Sequence, residues 1–489
     1  MAEPVIGRNQ VHFERLCDVM NSRETFDVIV IGAGPVGENI AQYATQHTDL
    51  TAVLIERELV GGECSYYACM PSKALLRPVE IAATSAHLSG LTPATIDRDA
   101  LLARRDLWVS GYDDSGQVKW ADGAGLKVLR GSGRLVGERL VSLETSDGAR
   151  TVEARHSVVI ATGSEPVVPD LYVGCVPWGS RDATGVVEVP DRLVIVGGGV
   201  VGCEAAVWMN ALGAKVTLLS RDDRLLTRVE PFASEIVLKA LRDMGIDVRV
   251  GVEVTACQRD DVRDTGLGKL HGGRVVVSTV GGEITADEIL VAVGRRPRLD
   301  DIGLQTVGLD ARKARAGDVP SWLVLVGDAS GEAPLTHWGK YRARVLGEQI
   351  AARATGGTEP FVPDDVPVPQ VIFTDPQVAA VGLTEAEARA AHLDVEMTHV
   401  PWSAASGAAL LRDDVEGGAQ LVIDRAHRVV VGATFVGPEA GELLHSATIA
   451  ITGRVPIEVL RHAVPSYPTA SELWLRLIEQ LPVELLQRT

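Results

Sequence analysis

One pattern occurs twice in this chain, namely an unbroken apolar strand followed by a glycine-rich turn and a helix. In the first copy the strand at 26–31 precedes a G-x-G-x-x-G turn at 32–37, and in the second the strand at 192–196 precedes the same turn at 197–202. Each copy continues through the helix into another apolar strand, which makes a βαβ unit. Because the turns lie too far apart for a solenoid repeat, we predict two separate nucleotide-binding domains.

The glycines in these turns allow the backbone to approach a pyrophosphate, which the N-terminus of the following helix stabilises. One copy of the motif alone is weak evidence, but both copies here follow a strand and open a helix. Glu56 ends the second strand of the first unit, where a carboxylate can accept hydrogen bonds from an adenosine ribose. Two ordinary glycine-rich turns are the structural alternative.

The second unit has no carboxylate at the equivalent position. The counterpart of Glu56 is Ser220 if strand ends are aligned and Arg221 if residues are counted from the last glycine, and Arg224 follows closely. An arginine can bind a 2′-phosphate that a carboxylate would repel. The second unit is therefore predicted to prefer NADP(H), with NAD(H) possible. Arginines that simply lie on a solvated surface are the alternative.

Composition excludes several other classes of protein. The 489 residues are 46% hydrophobic, and 65 acidic against 47 basic residues give a net charge of −18, which argues against sequence-independent nucleic-acid binding. No apolar run reaches the ~18 residues that span a bilayer, and the N-terminal sequence lacks the apolar core of a signal peptide. We expect a cytoplasmic protein with no membrane or nucleic-acid partner.

Six cysteines are too few for a disulfide scaffold, and only Cys64 and Cys69 lie close together in sequence. Pro71 and the helical sequence after it place Cys69 near a helix N-terminus, where the helix dipole favours the thiolate. No Cys or His pair with ligand spacing lies nearby, so no metal is predicted. Two unrelated buried cysteines are the alternative. Cys175 and Cys257 have no partner that the sequence indicates.

Together, these motifs resemble those of the flavin-dependent pyridine nucleotide–disulfide oxidoreductases, such as dihydrolipoamide dehydrogenase, glutathione reductase, mercuric reductase and the soluble transhydrogenase. The matching stretches follow the family's order: 32–37, 61–73, 161–166, 197–204, 291–297, 327–328, 373–383 and 468–472. The resemblance implies an α/β fold with two Rossmann-like domains, for FAD and NAD(P), and a C-terminal α+β dimerisation domain. The implied boundaries are an N-terminal extension at 1–24, an FAD domain at 25–163 and 296–365, an NAD(P) domain at 164–295 and an interface domain at 366–489.

The resemblance also implies an enzyme that passes electrons from NAD(P)H through FAD to a Cys64–Cys69 redox disulfide. A small disulfide or quinone would be the final acceptor, and the enzyme would be a homodimer. Cys64 would exchange with substrate, Cys69 would lie beside the flavin, and Lys73 would pair with Glu204 nearby. The implied cofactor-binding residues are Gly32, Gly34, Gly37, Glu56, Gly62, Lys73, Ala161, Thr162, Gly163, Gly197, Gly199, Gly202, Ser220, Arg221, Arg224, Gly294, Gly327, Asp328 and His337.

One departure from the family's pattern concerns the catalytic base. Where the disulfide reductases have His-Pro-Thr-x-x-Glu, this chain has Tyr467 in place of the histidine and keeps Glu472. A phenol, with an ordinary pKa near 10, is a poor base at neutral pH. His462 lies five residues upstream, and a helix-end histidine without a catalytic role is the preferred interpretation of it.

A tyrosine at this position is similar to mercuric reductase and to the soluble transhydrogenase. The sequence nevertheless lacks the C-terminal cysteine pair of the former, and it has Cys69, which the latter lacks. An NAD(P)H:quinone reductase (diaphorase) or a transhydrogenase that acts from the flavin is therefore the alternative function. A flavoprotein redox sensor without turnover is a third. The predicted catalytic residues are Cys64, Cys69, Lys73, Glu204, Tyr467 and Glu472.

Overall fold

The structure is a computed structural model, and it describes residues 24–146 and 148–487. The predicted N-terminal extension at 1–24 therefore lies, apart from Glu24, outside the described residues. None of the described helices combines the length and the apolar character needed to cross a membrane. The helices are α1 (Pro35–Thr45), α2 (Gly62–Tyr66), α3 (Cys69–Ala86), α4 (Arg98–Trp108), α5 (Ser115–Gly123), α6 (Asp170–Val173), α7 (Ser180–Thr184), α8 (Val200–Ala211), α9 (Pro231–Asp243), α10 (Ala311–Arg315), α11 (Thr336–Thr355), α12 (Glu385–Ala390), α13 (Ser406–Ala409), α14 (Ala440–Thr452), α15 (Ile457–Leu460), α16 (Glu472–Glu479) and α17 (Val483–Leu486).

The strands are distributed among these helices along the whole described chain. Short 3₁₀ turns lie at Ser110–Tyr112, Leu304–Val307, Gly327–Ser330 and Trp402–Ala404. The strands are β1 (Glu24–Ile31), β2 (Ala52–Glu56), β3 (Lys127–Arg130), β4 (Ser132–Gly137), β5 (Leu140–Thr145), β6 (Gly148–Ile160), β7 (Ser164–Pro166), β8 (Arg192–Val196), β9 (Lys215–Leu219), β10 (Asp247–Arg249), β11 (Val254–Arg259), β12 (Val275–Thr279), β13 (Gly282–Ala286), β14 (Glu288–Val291), β15 (Arg295–Pro297), β16 (Leu323–Leu325), β17 (Gln370–Ile372), β18 (Gln377–Gly382), β19 (Val395–Pro401), β20 (Gly418–Asp424) and β21 (Val429–Gly437).

The described residues form two compact units, of which the first contains the residues up to Tyr66, Tyr112–Glu165 and Arg296–Val362. Its sheet contains the parallel strands β3-β2-β1-β6, and β16 also pairs parallel with β6. Strand β6 pairs with more than one strand. Its first half pairs antiparallel with β5, and its last residues pair parallel with β16. The apolar run in β1 suits this central position, since both of its faces are covered.

Helices α1 and α11 of the first unit pack against each other at close range. Gly339 and Gly347 of α11 make this possible, because a Cβ atom at Gly339 would lie 2.5 Å from the side chain of Val36 and one at Gly347 would lie 2.7 Å from that of Tyr43. The buried face of α1, which includes Ile40, joins the same apolar cluster as the sheet. This packing fixes the direction in which the N-terminus of α1 points.

The second unit contains Tyr67–Gly111, Pro166–Arg295 and the residues from Pro363 onward. Parallel strands in the order β10-β9-β8-β14 form one sheet, and β11-β12-β13 form a small antiparallel sheet. The C-terminal part is an antiparallel sheet in the order β17-β18-β21-β20-β19, and helices α14 and α16 share its apolar core. The predicted α/β fold with a C-terminal α+β part is confirmed.

One segment groups differently from the sequence-based division into domains. That division places residues 67–111 in the FAD domain, whereas their contacts place them in the second unit. Leu75 of α3 and Leu101 of α4 are buried in the same apolar cluster as Trp178 and Trp208. Burial of these side chains is the physical reason for the grouping. The domain boundaries themselves remain a prediction.

Candidate functional site

The first glycine turn is shaped by close contacts that exclude a Cβ atom. Gly32 has a φ of +100°, and a Cβ there would lie 2.4 Å from the carbonyl oxygen of Ala161. A Cβ at Gly37 would lie 1.9 Å from the carbonyl oxygen of Gly32, so helix α1 can approach β1 only with glycine at this position. Gly34 precedes α1, and no side chain in the described part of the chain caps that helix. Its first N–H groups are therefore available to an anion.

Glu56 lies beside this turn, as the βαβ pattern predicts. Its carboxylate is buried and accepts hydrogen bonds from the N–H groups of Ala33 and Glu58, both at 2.8 Å. Glu38, in the first turn of α1, is a further polar residue beside this turn that the sequence pattern does not indicate. Burial raises its pKa to about 7, and its Oε1 atom finds no hydrogen-bond partner among the described residues. An apolar helix stripe gives no signal for a buried carboxylate of this kind.

The other cofactor residues predicted in the first unit lie at the ends of its strands, except Gly62 in α2 and His337 in α11. Residues 161–163 directly follow β6, and Asp328 lies in the 3₁₀ turn after β16, where its Oδ2 accepts a hydrogen bond from Ser164 Oγ. His337 is an exposed residue in the first turn of α11. Gly327 has a φ of +67°, and a Cβ there would lie 3.2 Å from the side chain of Val36.

These features of the first unit fit a dinucleotide. A glycine cradle, an uncapped helix N-terminus and a buried carboxylate match the needs of a pyrophosphate and a ribose. Gly62 lies next to the cradle, because a Cβ at this residue would be 2.7 Å from the Cα atom of Gly34. The residues present are therefore able to hold FAD.

The two cysteines of the predicted redox pair lie in consecutive helices. Cys64 is in the short helix α2, and Cys69 is the first residue of α3, in agreement with the predicted helix N-terminus. Both side chains are partly exposed. Ser72 strengthens the first turn of α3, because its Oγ donates to the carbonyl oxygen of Ala68 at 2.7 Å. A thiolate at Cys69 is stabilised by the N-terminal end of this helix.

Lys73 and Glu204 form the ion pair that the family resemblance implies. Lys73 Nζ lies 2.7 Å from Glu204 Oε2, and Glu204 Oε1 accepts a hydrogen bond from the N–H of Phe373 at 2.9 Å. The Glu204 side chain is 6% exposed and that of Lys73 is 35% exposed. The ammonium of Lys73 also lies 4.6 Å from the centre of the Phe373 ring. No local sequence pattern indicates the contact of Glu204 with Phe373, because the two residues are 169 positions apart.

The second glycine turn repeats the geometry of the first. A Cβ at Gly197 would lie 2.3 Å from the carbonyl oxygen of Ala292, and one at Gly202 would lie 1.9 Å from that of Gly197. Helix α8 begins after Gly199, and the described residues likewise provide no side-chain cap for it. Gly294 follows β14 with a φ of +136°. This turn also fits the pyrophosphate of a dinucleotide.

The residues predicted to select the nicotinamide nucleotide have different surroundings. Ser220 is buried behind the turn, where its Oγ would lie 2.6 Å from a Cβ at Gly198. Arg224 donates to the carbonyl oxygens of Val229 at 3.0 Å and Thr227 at 2.7 Å, so its guanidinium is already engaged by the backbone. Arg221 is exposed.

Tyr467 and Glu472 lie in the C-terminal part of the second unit. The Tyr467 side chain is 76% exposed. Glu472 is the first residue of α16 and is buried, and its Oε2 accepts a hydrogen bond from the N–H of Gly407 at 3.3 Å. Gly407 packs so closely that a Cβ there would lie 2.2 Å from the backbone nitrogen of Thr469. The carboxylate of Glu472 therefore supports a backbone turn.

Comparisons with known proteins give a consistent result. Residues 26–323 match the model of the family described as pyridine nucleotide-disulphide oxidoreductase, and residues 368–477 match the model of its dimerisation domain. The chain is 33% identical over 469 residues to a dihydrolipoyl dehydrogenase of Haloferax volcanii, covering 91% of this chain and 94% of that protein. It is 34% identical over 477 residues to a dihydrolipoyl dehydrogenase of Thermus scotoductus, covering 94% and 98%.

Solved structures support the same fold. The Cu(II) complex of the HOCl-induced flavoprotein disulfide reductase RclA from Escherichia coli matches with a TM-score of 0.80 at 20% identity, covering 94% of this chain and all of that one (100%). LpdA from Mycobacterium tuberculosis matches with a TM-score of 0.78 at 22% identity, covering 94% and 99%. With its two glycine cradles, its Lys73–Glu204 ion pair and these relatives, the chain belongs to the pyridine nucleotide–disulphide oxidoreductase family and is an FAD-dependent oxidoreductase.

Proposed function

We propose that this enzyme moves electrons between NAD(P)H and a small disulfide or dithiol by way of FAD and a Cys64–Cys69 redox pair, as in a dihydrolipoyl dehydrogenase. The observation that carries the proposal is the position of Cys69 at the first residue of α3, with Lys73 of the same helix held by Glu204. The names of the relatives from Haloferax volcanii and Thermus scotoductus support it. When bound, FAD would supply a two-electron carrier between the nicotinamide and the cysteines.

The protein's own residues would bind FAD, activate the Cys69 thiol and orient the Lys73 ammonium. Gly32, Gly34 and Gly37 leave room for the FAD pyrophosphate at the N-terminus of α1, and Glu56 offers a buried carboxylate to the ribose. Helix α3 favours the thiolate of Cys69 through the partial positive charge at its N-terminus. Glu204 and the Phe373 ring hold the ammonium of Lys73 in one place, so that its charge is pre-organised.

Thiol labelling tests this proposal directly. The holoenzyme is reduced anaerobically with one equivalent of NADH or NADPH, then alkylated and digested. We expect alkylation of Cys64 and Cys69 only after reduction, and turnover with lipoamide or glutathione disulfide that a Cys64→Ser variant loses. Labelling of both cysteines without any nucleotide would refute the redox pair, as would full disulfide turnover by the variant.

We further propose that Arg221 contacts the 2′-phosphate of NADP(H). Arg221 is exposed and is the second residue after β9, whereas Arg224 is held by two carbonyl oxygens. A charge-assisted hydrogen bond contributes about 1.5–3 kcal/mol, so Arg221→Ala is expected to raise the KM for NADPH roughly 10-fold or more and to leave that for NADH unchanged. Arg224→Ala is the matched control, which should change both values equally. Equal effects of Arg221→Ala on both nucleotides would refute this assignment.

A second function, NAD(P)H:quinone reductase, is favoured by the exposed Tyr467. The carboxylate of Glu472 accepts a hydrogen bond from the N–H of Gly407. The exposed tyrosine stands where disulfide reductases have a catalytic base, and it suits electron acceptors whose reduction needs no proton transfer at a thiol. Menadione turnover by the Cys64→Ser variant separates the two functions. Unchanged quinone turnover together with lost disulfide turnover would assign both reactions to this enzyme, and quinone turnover alone in the wild type would make it a diaphorase.

We also propose that the enzyme is a homodimer. The match of residues 368–477 to the dimerisation domain supports this state. The same part of the chain exposes the apolar side chains of Ile449, Val459 and Val464, which a partner subunit would cover. Light scattering coupled to size-exclusion chromatography should give twice the chain mass, and a monomer at micromolar concentration would contradict the proposal.

A further inference from the structure

Two cysteines far from the Cys64 segment in sequence lie against each other in the second unit. Sγ of Cys175, which follows α6, is 2.9 Å from Sγ of Cys257 in β11. Both are thiols in this structure, and 82 positions separate them along the chain. The two sulfur atoms need to approach by only roughly 1 Å to reach the ~2.05 Å length of a disulfide bond.

Neighbouring hydrogen bonds hold both backbones in place. Arg259, two residues after Cys257, donates from Nε to the carbonyl oxygen of Cys175 at 2.8 Å. Its guanidinium also pairs with Glu288, and both of these charged side chains are fully buried at 0% exposure. The N–H of Cys175 donates to the carbonyl oxygen of Tyr172 in α6 at 2.9 Å. Because these bonds already tie β11 to the α6 segment, a disulfide needs little backbone movement.

The two thiols differ in their access to solvent. Cys175 is 1% exposed, whereas Cys257 is partly exposed. A small oxidant therefore reaches Cys257 first, and Cys175 can only attack from within the protein. Burial raises the pKa of the Cys257 thiol, so the thiolate is scarce and the reaction is slow.

We propose that Cys175 and Cys257 are a second redox pair, which a low-molecular-weight disulfide oxidises to an intrachain disulfide. The Cys257 thiolate attacks one sulfur of the small disulfide, so that a mixed disulfide forms and the other half leaves as a thiolate that takes up a proton. The Cys175 thiolate then attacks the sulfur of Cys257 and displaces the second half, which also takes up a proton. The two cysteines lose two electrons and two protons, and the small disulfide gains them as two thiols.

The bond would lock two parts of the second unit together. On one side it would hold β11 and, through the pairing of β11 with β12, the small antiparallel sheet. On the other side it would hold the segment that leads to Trp178, whose backbone N–H donates to the carbonyl oxygen of Ile289 in β14 at 2.8 Å. Such a crosslink restricts the unfolded chain and suppresses local opening. The oxidised enzyme should therefore unfold at a higher temperature, and its β11 amides should exchange more slowly.

The test uses the full-length holoenzyme and oxidised glutathione as the probe. After incubation, the protein is alkylated and digested without a reductant. We expect a linked peptide pair that contains Cys175 and Cys257, its loss after treatment with dithiothreitol, and a higher unfolding temperature before that treatment. The same linked pair should form in a Cys64→Ser/Cys69→Ser variant, which separates it from the pair of the proposed function.

Single variants complete the test. Cys175→Ser and Cys257→Ser should lose the linked peptide and the oxidant-dependent temperature shift. Cys203→Ser, which changes a buried thiol hydrogen-bonded to Gly198, is the matched control and should keep both. Glutathione retained on Cys257 without a linked peptide would overturn the proposal. The proposal would also be overturned if both thiols of the wild type could still be alkylated at every oxidant concentration. A linked peptide without a shift in the unfolding temperature would overturn the claim that the disulfide stabilises the second unit.

Discussion

Replacement of Glu204 should destabilise the second unit by an amount that its contacts define. The buried carboxylate accepts from Lys73 at 2.7 Å and from the N–H of Phe373 at 2.9 Å. A hydrogen bond to a charged group contributes about 1.5–3 kcal/mol, and a buried donor left without an acceptor costs about 1–3 kcal/mol. Since the Lys73 side chain is 35% exposed and can be rehydrated, the lower end of the first range applies. Glu204→Ala should therefore cost about 3 kcal/mol of unfolding free energy.

Glu204→Gln separates the two contributions. Its amide oxygen can still accept from the N–H of Phe373, so only the ion pair is lost and the cost should be about 1.5 kcal/mol. Urea unfolding of the wild type, of both Glu204 variants, and of Lys73→Met alone and combined with Glu204→Gln measures these values. The exposed Glu235 of α9 provides the control, and Glu235→Gln should change stability by less than about 0.5 kcal/mol.

The outcome of the double-mutant cycle decides whether the reasoning holds. We expect a coupling free energy between Lys73 and Glu204 of about 1.5 kcal/mol, and a value below about 0.5 kcal/mol would mean that the pair behaves as a solvated surface pair. Equal losses for Glu204→Ala and Glu204→Gln would show that the hydrogen bond to Phe373 contributes nothing. Either result would refute the argument from burial.

Three further predictions follow from the structure. Tyr467→His should raise turnover with dihydrolipoamide at least about 10-fold, because a general base commonly contributes ~10²–10⁴ in rate; an unchanged turnover number would contradict the role of this position. Gly37→Ala should lower the unfolding free energy by more than about 2 kcal/mol or prevent folding, since its Cβ would lie 1.9 Å from the carbonyl oxygen of Gly32. Gly116→Ala is the control in the same urea unfolding assay. A Cβ at Gly116 meets nothing within 4 Å, so this variant should be as stable as the wild type or more stable. Burial raises the pKa of Glu230. Between the ordinary glutamate pKa of ~4.3 and this raised value, the native state therefore binds more protons than the unfolded state, and the unfolding free energy falls as the pH rises through that window. Glu230→Gln, which can still accept from the N–H of Glu385, should flatten this decline, and an unaltered pH profile of the unfolding free energy would contradict the prediction.

The sequence predicts best those features that depend on neighbouring residues. Apolar runs and glycine spacing locate β1, α1, β8 and α8, because strand burial and tight turns are local properties. The start of α3 at Cys69 follows from Pro71 for the same reason. The pairing of Lys73 with Glu204 came from family resemblance, since 131 positions separate the two residues and no local pattern joins them.

Features that depend on tertiary contacts could not be predicted from the sequence. Arg224 carries a charge that suits a phosphate, but the turn after β9 brings two carbonyl oxygens within its reach. The carboxylate of Glu38 is buried by packing of α1, which the helix pattern does not reveal. Cys175 and Cys257 meet only because β11 packs beside the α6 segment. In each case the surroundings of the side chain depend on how helices, strands and turns pack in the folded protein.

Strand β16 determines when the first unit can be completed during synthesis. It pairs with β6 through Leu323 and Leu325, although β6 ends at Ile160. The ribosome must therefore extend the chain past position 325 before that sheet edge is closed. The sheet β10-β9-β8-β14 lies wholly within 192–291, so all of its strands leave the ribosome before β16 does. A nascent chain that has emerged as far as β14 but not β16 would thus hold a finished nucleotide sheet while the N-terminal sheet still exposes one edge of β6.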